Sequence, residues 1–188
     1  MSRAVRSDVV RNREAILLSA HGAFDEHGVD ASLEDIASAA GIGSATLYRH
    51  FPTRHALVAA VYRDEIVSLC DHAAELADTE HPERALQLWM HRVLDAFAGS
   101  PGVSAALKSA IESYPEFSDI QSAIREAAER LVGRAQGLGR LRADAGAPEV
   151  LRMLGGLCLF DDQPGAQPLA HRVIDVFCDG LSLPAGAA

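Results

Sequence analysis

The chain has 188 residues, 48% of them hydrophobic, which is enough apolar material for a packed core and excludes a disordered protein. It contains no uncharged apolar run of about 18 residues, and its amino-terminal segment lacks the apolar stretch of a secretory signal. A cytoplasmic protein without a membrane span is therefore expected. The formal net charge of −9 shows that the chain as a whole is acidic, which is unusual for a protein that binds an anionic partner through its whole surface.

The negative charge is concentrated in the second part of the chain. Residues 1–56 hold six arginines and seven acidic residues, whereas residues 57–188 hold 11 basic and 19 acidic residues. Four of those arginines lie near the amino terminus, where such side chains can follow a phosphate backbone: Arg3, Arg6, Arg11 and Arg13. The first part of the chain is thus compatible with an anionic partner.

The first two predicted helices are joined by a short connection. The first runs from about Val9 to His27 and ends at Gly28, a residue that often terminates helices. The second begins after Ser32, whose hydroxyl can cap the first turn. Its apolar residues recur at i, i+3, i+4 and i+7 and give it one buried face: Leu33, Ile36, Ala37 and Ala40. Gly41 then allows a sharp turn.

The third predicted helix, Ser44–His50, ends before Pro52. Leu47 and Phe51 lie four residues apart and should face the core. At about 100° per residue the opposite side presents five residues, Ala45, Thr46, Tyr48, Arg49 and His50. Two helices at this spacing with a glycine turn are typical of a helix-turn-helix, which places its second helix in the major groove of DNA. The alternative is a helical hairpin with a solvated polar face.

The stretch AAGIGSATLYRHFPTRHALVAAVY closely resembles the DNA-binding signature of tetracycline-repressor-like (TetR) transcriptional regulators, and the similarity extends over roughly residues 10–62. The resemblance implies that three side chains of the third helix contact operator phosphates, that Ser32 touches phosphate as well as capping its helix, and that Arg54 replaces the usual backbone-contacting lysine. Gly43 stands where many members carry serine or threonine, which leaves Ser44 as the neighbouring hydroxyl. The predicted DNA-binding set is Ser32, Ser44, Ala45, Thr46, Tyr48, Arg49, His50 and Arg54.

The rest of the chain is also predicted to be helical. A long fourth helix follows Pro52 and Thr53 and continues to about Ala77, which would make it a mechanical link. Further helices are predicted to end at about Ala98 and to span about 103–111, 118–138, 148–160 and 166–181. No strand pattern or internal repeat is apparent. We therefore expect an all-α fold of about nine helices, with a three-helix DNA-binding domain at residues 1–52 and a helical effector-binding and dimerisation domain at residues 53–188.

The resemblance also implies a homodimer and an effector pocket. In this family the last two helices pair with their copies, and the adjacent Gly155 and Gly156 would permit close approach of two backbones. Trp89 and Tyr114 combine a large apolar body with one polar group. The candidate lining residues, for each of which an ordinary place in the core is the favoured alternative, are Leu69, Leu86, Trp89, Met90, Phe97, Tyr114, Phe117, Leu131 and Met153. A small, mainly apolar or aromatic effector is expected.

These patterns allow three functions to be compared. A homodimeric repressor that an effector releases from a near-palindromic operator fits best, and the sequence leaves activation open. A helical adaptor of the same fold without DNA binding is the alternative. An enzyme is not expected, because the eight histidines are scattered and no catalytic motif is present. Cys70, Cys158 and Cys178 lack metal-ligand spacing, so we expect reduced thiols rather than a redox sensor, with no metal and no cofactor.

Overall fold

The computed structural model describes residues 3–78, 81–97, 102–160 and 167–183. These residues form ten α-helices, one 3-10 turn at Pro115–Phe117 and an isolated bridge that joins Leu141 to Ser182. The helices are α1 (Arg3–His27), α2 (Leu33–Ala39), α3 (Ser44–His50), α4 (Arg54–Val61), α5 (Arg63–Ala77), α6 (Pro82–Phe97), α7 (Val103–Ser113), α8 (Ser118–Gly137), α9 (Ala147–Phe160) and α10 (Gln167–Leu181). The predicted all-α fold is confirmed. None of these helices is long and apolar enough to cross a membrane.

The predicted long fourth helix is wrong, and its division into α4 and α5 accounts for ten helices instead of about nine. The break lies at Tyr62, whose backbone angles of φ −89° and ψ 4° depart from the α-helical region. The Tyr62 N–H still donates to the Val58 carbonyl at 3.1 Å, which closes the last turn of α4. The tyrosine is buried, with its ring centre 5.9 Å from that of His21 on α1. The break thus coincides with a contact to α1 that a helical pattern in the sequence does not reveal.

One compact unit comprises Met1–Arg63 and Ser100–Phe117, which we call the amino-terminal unit. Helices α1, α2 and α3 pack around Phe24, Ile36 and Leu47, and α4 packs on both α1 and α7. Gly102 precedes α7 at φ +76°, and a side chain there would lie 2.2 Å from Cγ1 of Val29. This division differs from the expected boundary after residue 52, because α4 packs on α1 and α7 packs on α4.

The other compact unit comprises Asp64–Gly99 and Ser118–Ala188, which we call the carboxy-terminal unit. Helix α6 is central, since α8, α9 and α10 all pack against it. Its buried Trp89, Met90 and Leu94 meet residues such as Leu131 of α8 and Ile174 of α10. The core of this unit therefore depends on contacts between residues that are far apart in the sequence.

Candidate nucleic-acid interface

The cap predicted at the start of α2 is present. Ser32 has extended backbone angles of φ −64° and ψ 120°, and its hydroxyl accepts a hydrogen bond from the Asp35 N–H at 3.2 Å. Glu34 and Asp35 in the first turn complement the positive end of the helix dipole. Ser32 is exposed, so its own hydroxyl proton can serve a second acceptor such as a phosphate oxygen.

The turn between α2 and α3 is a Schellman motif centred on Gly41. The Ile42 N–H donates to the Ala37 carbonyl and the Gly41 N–H donates to the Ser38 carbonyl, each at 3.0 Å. Gly41 adopts φ +70°, a conformation that favours glycine. Gly43 then caps α3 without a side-chain hydrogen bond, and the space where its Cβ would lie is open. This geometry fixes the direction in which α3 leaves the turn.

Helix α3 has the two faces that its sequence predicts. Leu47 and Phe51 are buried, with 1% and 3% of their surface exposed. Ala45, Tyr48 and Arg49 are exposed, and Tyr48 keeps 48% of its surface accessible. Ser44, Thr46 and His50 are half-buried at the margins of this face. Six of the eight predicted DNA-binding residues thus lie along one short helix.

A cationic cluster surrounds the carboxyl end of α3. The Arg13 guanidinium of α1 lies 4.7 Å from the centre of the Phe51 ring, a cation–π arrangement. Burial lowers the pKa of His50, and the charges of Arg13 and Arg49 lower it further. His50 is therefore mainly uncharged at neutral pH and can donate one ring N–H. Sequence analysis placed Arg13 among the basic amino-terminal residues but gave no sign of its contact with α3.

Arg54 has a structural role that the resemblance did not imply. Its Nη1 donates to the Val29 carbonyl at 2.6 Å and also to the Ala31 carbonyl. These bonds tie the first turn of α4 to the connection between α1 and α2. Only the remaining N–H groups of the guanidinium can reach a phosphate.

Tyr114, a predicted pocket residue, lies instead at the start of α4. Its hydroxyl donates to Thr53 Oγ1 at 2.8 Å, and the same oxygen accepts the Ala56 N–H at 3.2 Å as the cap of α4. Phe117 packs edge-on against Tyr114, with ring centres 6.5 Å apart. Both aromatic residues belong to the amino-terminal unit, whereas the other seven pocket candidates belong to the carboxy-terminal unit.

Most of those seven candidates are core residues. Four are almost completely buried: Leu86, Trp89, Met90 and Leu131. The polar group of Trp89 is already used, since its Nε1–H donates to the Leu69 carbonyl at 3.0 Å. Phe97 and Met153 are half-buried, as is Leu69. An open surface cavity of about 520 Å³ does occur among the described residues of this unit, and Leu69 is the one candidate that lines it. The remaining lining residues are Glu65, Ser68, Asp71, His72, Glu75, Arg92, Asp95 and Ala96.

Two of the three thiols have raised pKa values. Burial raises the pKa of Cys70 to about 11, with a further contribution from Asp71. Burial also raises the pKa of Cys178 to about 12, helped by Asp175 and Asp179. The thiolate is the reactive species, so these two residues are poor nucleophiles at neutral pH.

The last helix carries an apolar stripe on its exposed side. Leu169, Val173 and Val176 are spaced i, i+4 and i+7, and Leu169 and Val176 keep 63% and 66% of their surface accessible. On α9, Gly155 is exposed and has open space where a Cβ would lie. A stripe of this kind on a water-soluble helix marks a candidate interface with another protein surface.

Both halves of the chain match families of transcriptional regulators. A family model for bacterial regulatory proteins of the tetR family matches residues 16–61, and one for the C-terminal domain of SbtR-like transcriptional regulators matches residues 81–183. The HTH-type transcriptional regulator SAB2452 of Staphylococcus aureus is 35% identical over 80 residues, which are 42% of this chain and 43% of that protein. The matched stretch therefore spans less than half of that curated relative.

Solved structures match over nearly the whole length. The TetR transcriptional regulator SCO0520 from Streptomyces coelicolor is 37% identical, and the match covers 92% of this chain and 99% of that chain with a TM-score of 0.64. A TetR transcription regulatory protein from Mycobacterium vanbaalenii is 30% identical, with 95% and 99% covered and a TM-score of 0.56. These relatives are named as transcriptional regulators, not as enzymes. The chain belongs to the TetR family of transcriptional regulators.

Proposed function

We propose that this protein is a homodimeric repressor that holds a near-palindromic DNA operator through α3 and leaves it when a small effector binds. The observation that carries the proposal is the exposed face of α3, with Ala45, Tyr48 and Arg49 on a helix whose direction the turn at Gly41 fixes. A recognition helix must present such a face on a rigid support in order to read a groove.

The side chains on and beside α3 divide by the chemistry that they offer to DNA. Thr46, Tyr48 and His50 carry hydroxyl or ring N–H donors that suit phosphates, which fix the register of a protein on the duplex. Ala45 is small enough to admit a close approach. Arg49 has the planar donor pair that binds the O6 and N7 atoms of guanine, and it is the residue to which we assign base recognition. Ser32, Ser44 and the free N–H groups of Arg54 complete the phosphate contacts.

Dimerisation through α9 and α10 is supported by the apolar stripe at Leu169, Val173 and Val176. An isologous contact would pair each stripe with the equivalent residues of a second copy. Two recognition helices would then bind two half-sites one or more helical turns apart, which is why we expect a near-palindrome. A single short helix offers too few contacts to select a site alone.

Effector control requires that the effector bind differently to the DNA-bound and free conformations. Helices α4 and α7 are suited to transmit this difference, because each is followed within a few residues of the chain by a helix of the carboxy-terminal unit, α5 and α8 respectively. The Tyr114–Thr53 hydrogen bond links the end of α7 to the cap of α4. The cavity lined by Leu69 has charged walls, so an effector there would combine the expected apolar body with polar groups.

The test is selection of binding sites from random duplex DNA with the full-length protein, repeated across a salt series. Enrichment of a near-palindrome is expected, with affinity that falls as salt rises because phosphate contacts release counterions. Enrichment of a single half-site would argue against the dimer. No enrichment at low salt would instead favour the alternative, a helical adaptor of the same fold without DNA binding.

A further inference from the structure

Two helices of the carboxy-terminal unit carry the same pattern, Gln-x3-His-x3-Asp. The members of each set are four residues apart and so share one face of their helix. The sets are Gln87, His91 and Asp95 on α6, and Gln167, His171 and Asp175 on α10. Sequence analysis treated these histidines as scattered, although the repeated spacing was a signal that could have linked them.

The two sets meet with approximate twofold symmetry across the contact of α6 with α10. His91 Nε2 lies 2.8 Å from Asp175 Oδ1, and Gln87 Nε2 donates to the same oxygen at 2.7 Å. On the other side, His171 Nε2 lies 2.8 Å from Asp95 Oδ1, and Gln167 Nε2 donates to that oxygen at 3.0 Å. Each imidazole therefore has its outer nitrogen against a carboxylate that an amide holds in place.

The inner nitrogens of the two rings face each other at the centre. Nδ1 of His91 is 2.6 Å from Nδ1 of His171, the ring centres are 4.8 Å apart, and the ring planes differ by 25°. The ring centres are almost as far apart as a 2.6 Å gap between the two nitrogens permits, so both nitrogens lie near the line that joins the ring centres. This is the geometry of an in-plane hydrogen bond and not of stacked rings.

The contacts favour one arrangement of protons on the pair. Both Nε2 atoms are expected to carry hydrogen, because an unprotonated Nε2 would place its lone pair against a carboxylate oxygen and the two would repel each other. Two bare Nδ1 atoms at 2.6 Å would repel each other, as would two N–H groups that point at one another. One proton between the Nδ1 atoms satisfies both rings. A pair with this proton would carry a single positive charge beside two carboxylates.

We propose that His91 and His171 share one proton through their Nδ1 atoms and that this proton makes the packing of α6 on α10 depend on pH. Above the usual titration range of histidine, around pH 6.5, the unfolded chain has two neutral imidazoles and must take up one proton from solvent on folding. Below that range the unfolded chain has two imidazolium groups and must release one. The contribution of the pair to stability is therefore largest near the middle of the range and declines on both sides.

Other charged groups lie on the helices that carry the pair and on α5. Arg92 and Arg172 follow His91 and His171 directly in the chain, and Asp179 lies one turn beyond Asp175 on α10. Helix α5 contributes Asp71, His72 and Glu75 to the cavity that Asp95 also lines. Helices α8 and α9 pack on α6 through apolar side chains such as Leu131 and Leu154. Hydrogen bonds from Gln87 and His91 lower the pKa of Asp175, which keeps this carboxylate charged throughout the range.

A proton fits the centre of the cluster better than a metal ion. Two nitrogens bound to one tetrahedral zinc ion at about 2.0–2.1 Å would lie roughly 3.3 Å apart, farther than the Nδ1 atoms are here. Among the described residues, no group of three or more His, Cys, Asp or Glu side chains is arranged to hold a metal.

The first test observes ring nitrogens in the unmodified full-length protein by 15N nuclear magnetic resonance, with His91→Asn and His171→Asn used to assign the signals. Between pH 6 and 7 we expect both Nε2 atoms to be protonated and the two Nδ1 signals to be intermediate between bare and protonated values. Two rings that titrate independently, each gaining its own Nδ1 proton, would overturn the proposal. A zinc-induced shift of both Nδ1 signals at equimolar metal would also overturn it.

The second test compares free energies of unfolding between pH 5 and 8 for the wild type, His171→Asn and a control, His72→Gln. His72 has a similar exposure on α5 but contacts a single carboxylate, Glu75, at 3.0 Å. The ratio of the unfolding constants of His171→Asn and wild type should pass through a maximum, changing by up to about tenfold per pH unit on either side. The control should show no such maximum. A ratio for His171→Asn that is flat with pH would contradict the shared proton.

Discussion

The two compact units use polar contacts in different ways. In the amino-terminal unit, side chains satisfy backbone groups at helix ends, as Ser32 and Thr53 do for α2 and α4 and Arg54 does for the preceding connection. In the carboxy-terminal unit, a polar cluster joins side chains to side chains across α6 and α10. Backbone caps hold a fixed surface over a wide pH range, whereas a cluster of imidazoles and carboxylates changes with protonation. By this comparison the amino-terminal unit depends less on protonation than the carboxy-terminal unit does.

The largest effect on the amino-terminal unit is expected from Arg54→Met, which keeps an apolar stem but removes the guanidinium. The Val29 and Ala31 carbonyls would lose their donor, and the free energy of unfolding should fall by about 2 kcal/mol. Chemical denaturation measures this loss, with the exposed Arg125→Met on α8 as the control. Equal stability of the two variants would show that Arg54 does not hold the connection.

A smaller effect is expected from Tyr114→Phe, which removes the hydrogen bond to Thr53 Oγ1 but keeps the ring against Phe117. The free energy of unfolding should fall by about 1 kcal/mol, since the cap retains its bond to the Ala56 N–H. A double-mutant cycle with Thr53→Ala measures the coupling. Additive losses would mean that the pair does not link α7 to α4.

Protonation of His50 should affect stability and DNA binding in opposite directions. Its lowered pKa means that the unfolded chain binds a proton more readily, so His50 reduces stability as pH falls through the ordinary histidine range. A nearby phosphate would favour the charged ring, so DNA binding should take up a proton and strengthen several-fold between pH 7.5 and 5.5. Fluorescence anisotropy with selected DNA should show a smaller increase for His50→Gln. An unchanged pH profile in that variant would remove His50 from the interface.

The smallest effect is expected from Gly43→Ser, at the cap of α3. The Cβ position is open, and a serine hydroxyl could accept an N–H of the first turn that no side chain caps now. The gain over glycine should be a few tenths of a kcal/mol, measured as a slightly higher midpoint of thermal unfolding. A matched Gly43→Ala variant lacks the hydroxyl and should not show the gain. Destabilisation by serine would mean that the site is more restricted than its geometry suggests.

The parts of this molecule that sequence analysis predicted well depend on neighbouring residues. The cap at Ser32, the turn at Gly41 and the two faces of α3 follow from spacings of a few residues and from steric rules. The break at Tyr62 was missed because the residues on both sides of it favour a helix. Its contact with α1 involves a residue far away in the sequence.

The contacts that sequence analysis missed join distant residues. Arg54 and Val29 are 25 residues apart, Tyr114 and Thr53 are 61 apart, and His91 and His171 are 80 apart. Large aromatic side chains suggested pocket positions, but apolar bulk alone does not distinguish a cavity wall from the core that buries Trp89. Such assignments require the packing of whole helices.

The central claim, that the exposed face of α3 reads DNA, is tested most directly by the affinity of Arg49→Ala and Tyr48→Phe for selected duplex DNA, measured alongside Arg125→Ala. We expect Arg49→Ala to weaken binding by about 1–3 kcal/mol and Tyr48→Phe by about 1 kcal/mol, with the oligomeric state and thermal stability unchanged. The α8 control should bind as the wild type does. Wild-type affinity in both α3 variants would contradict the account.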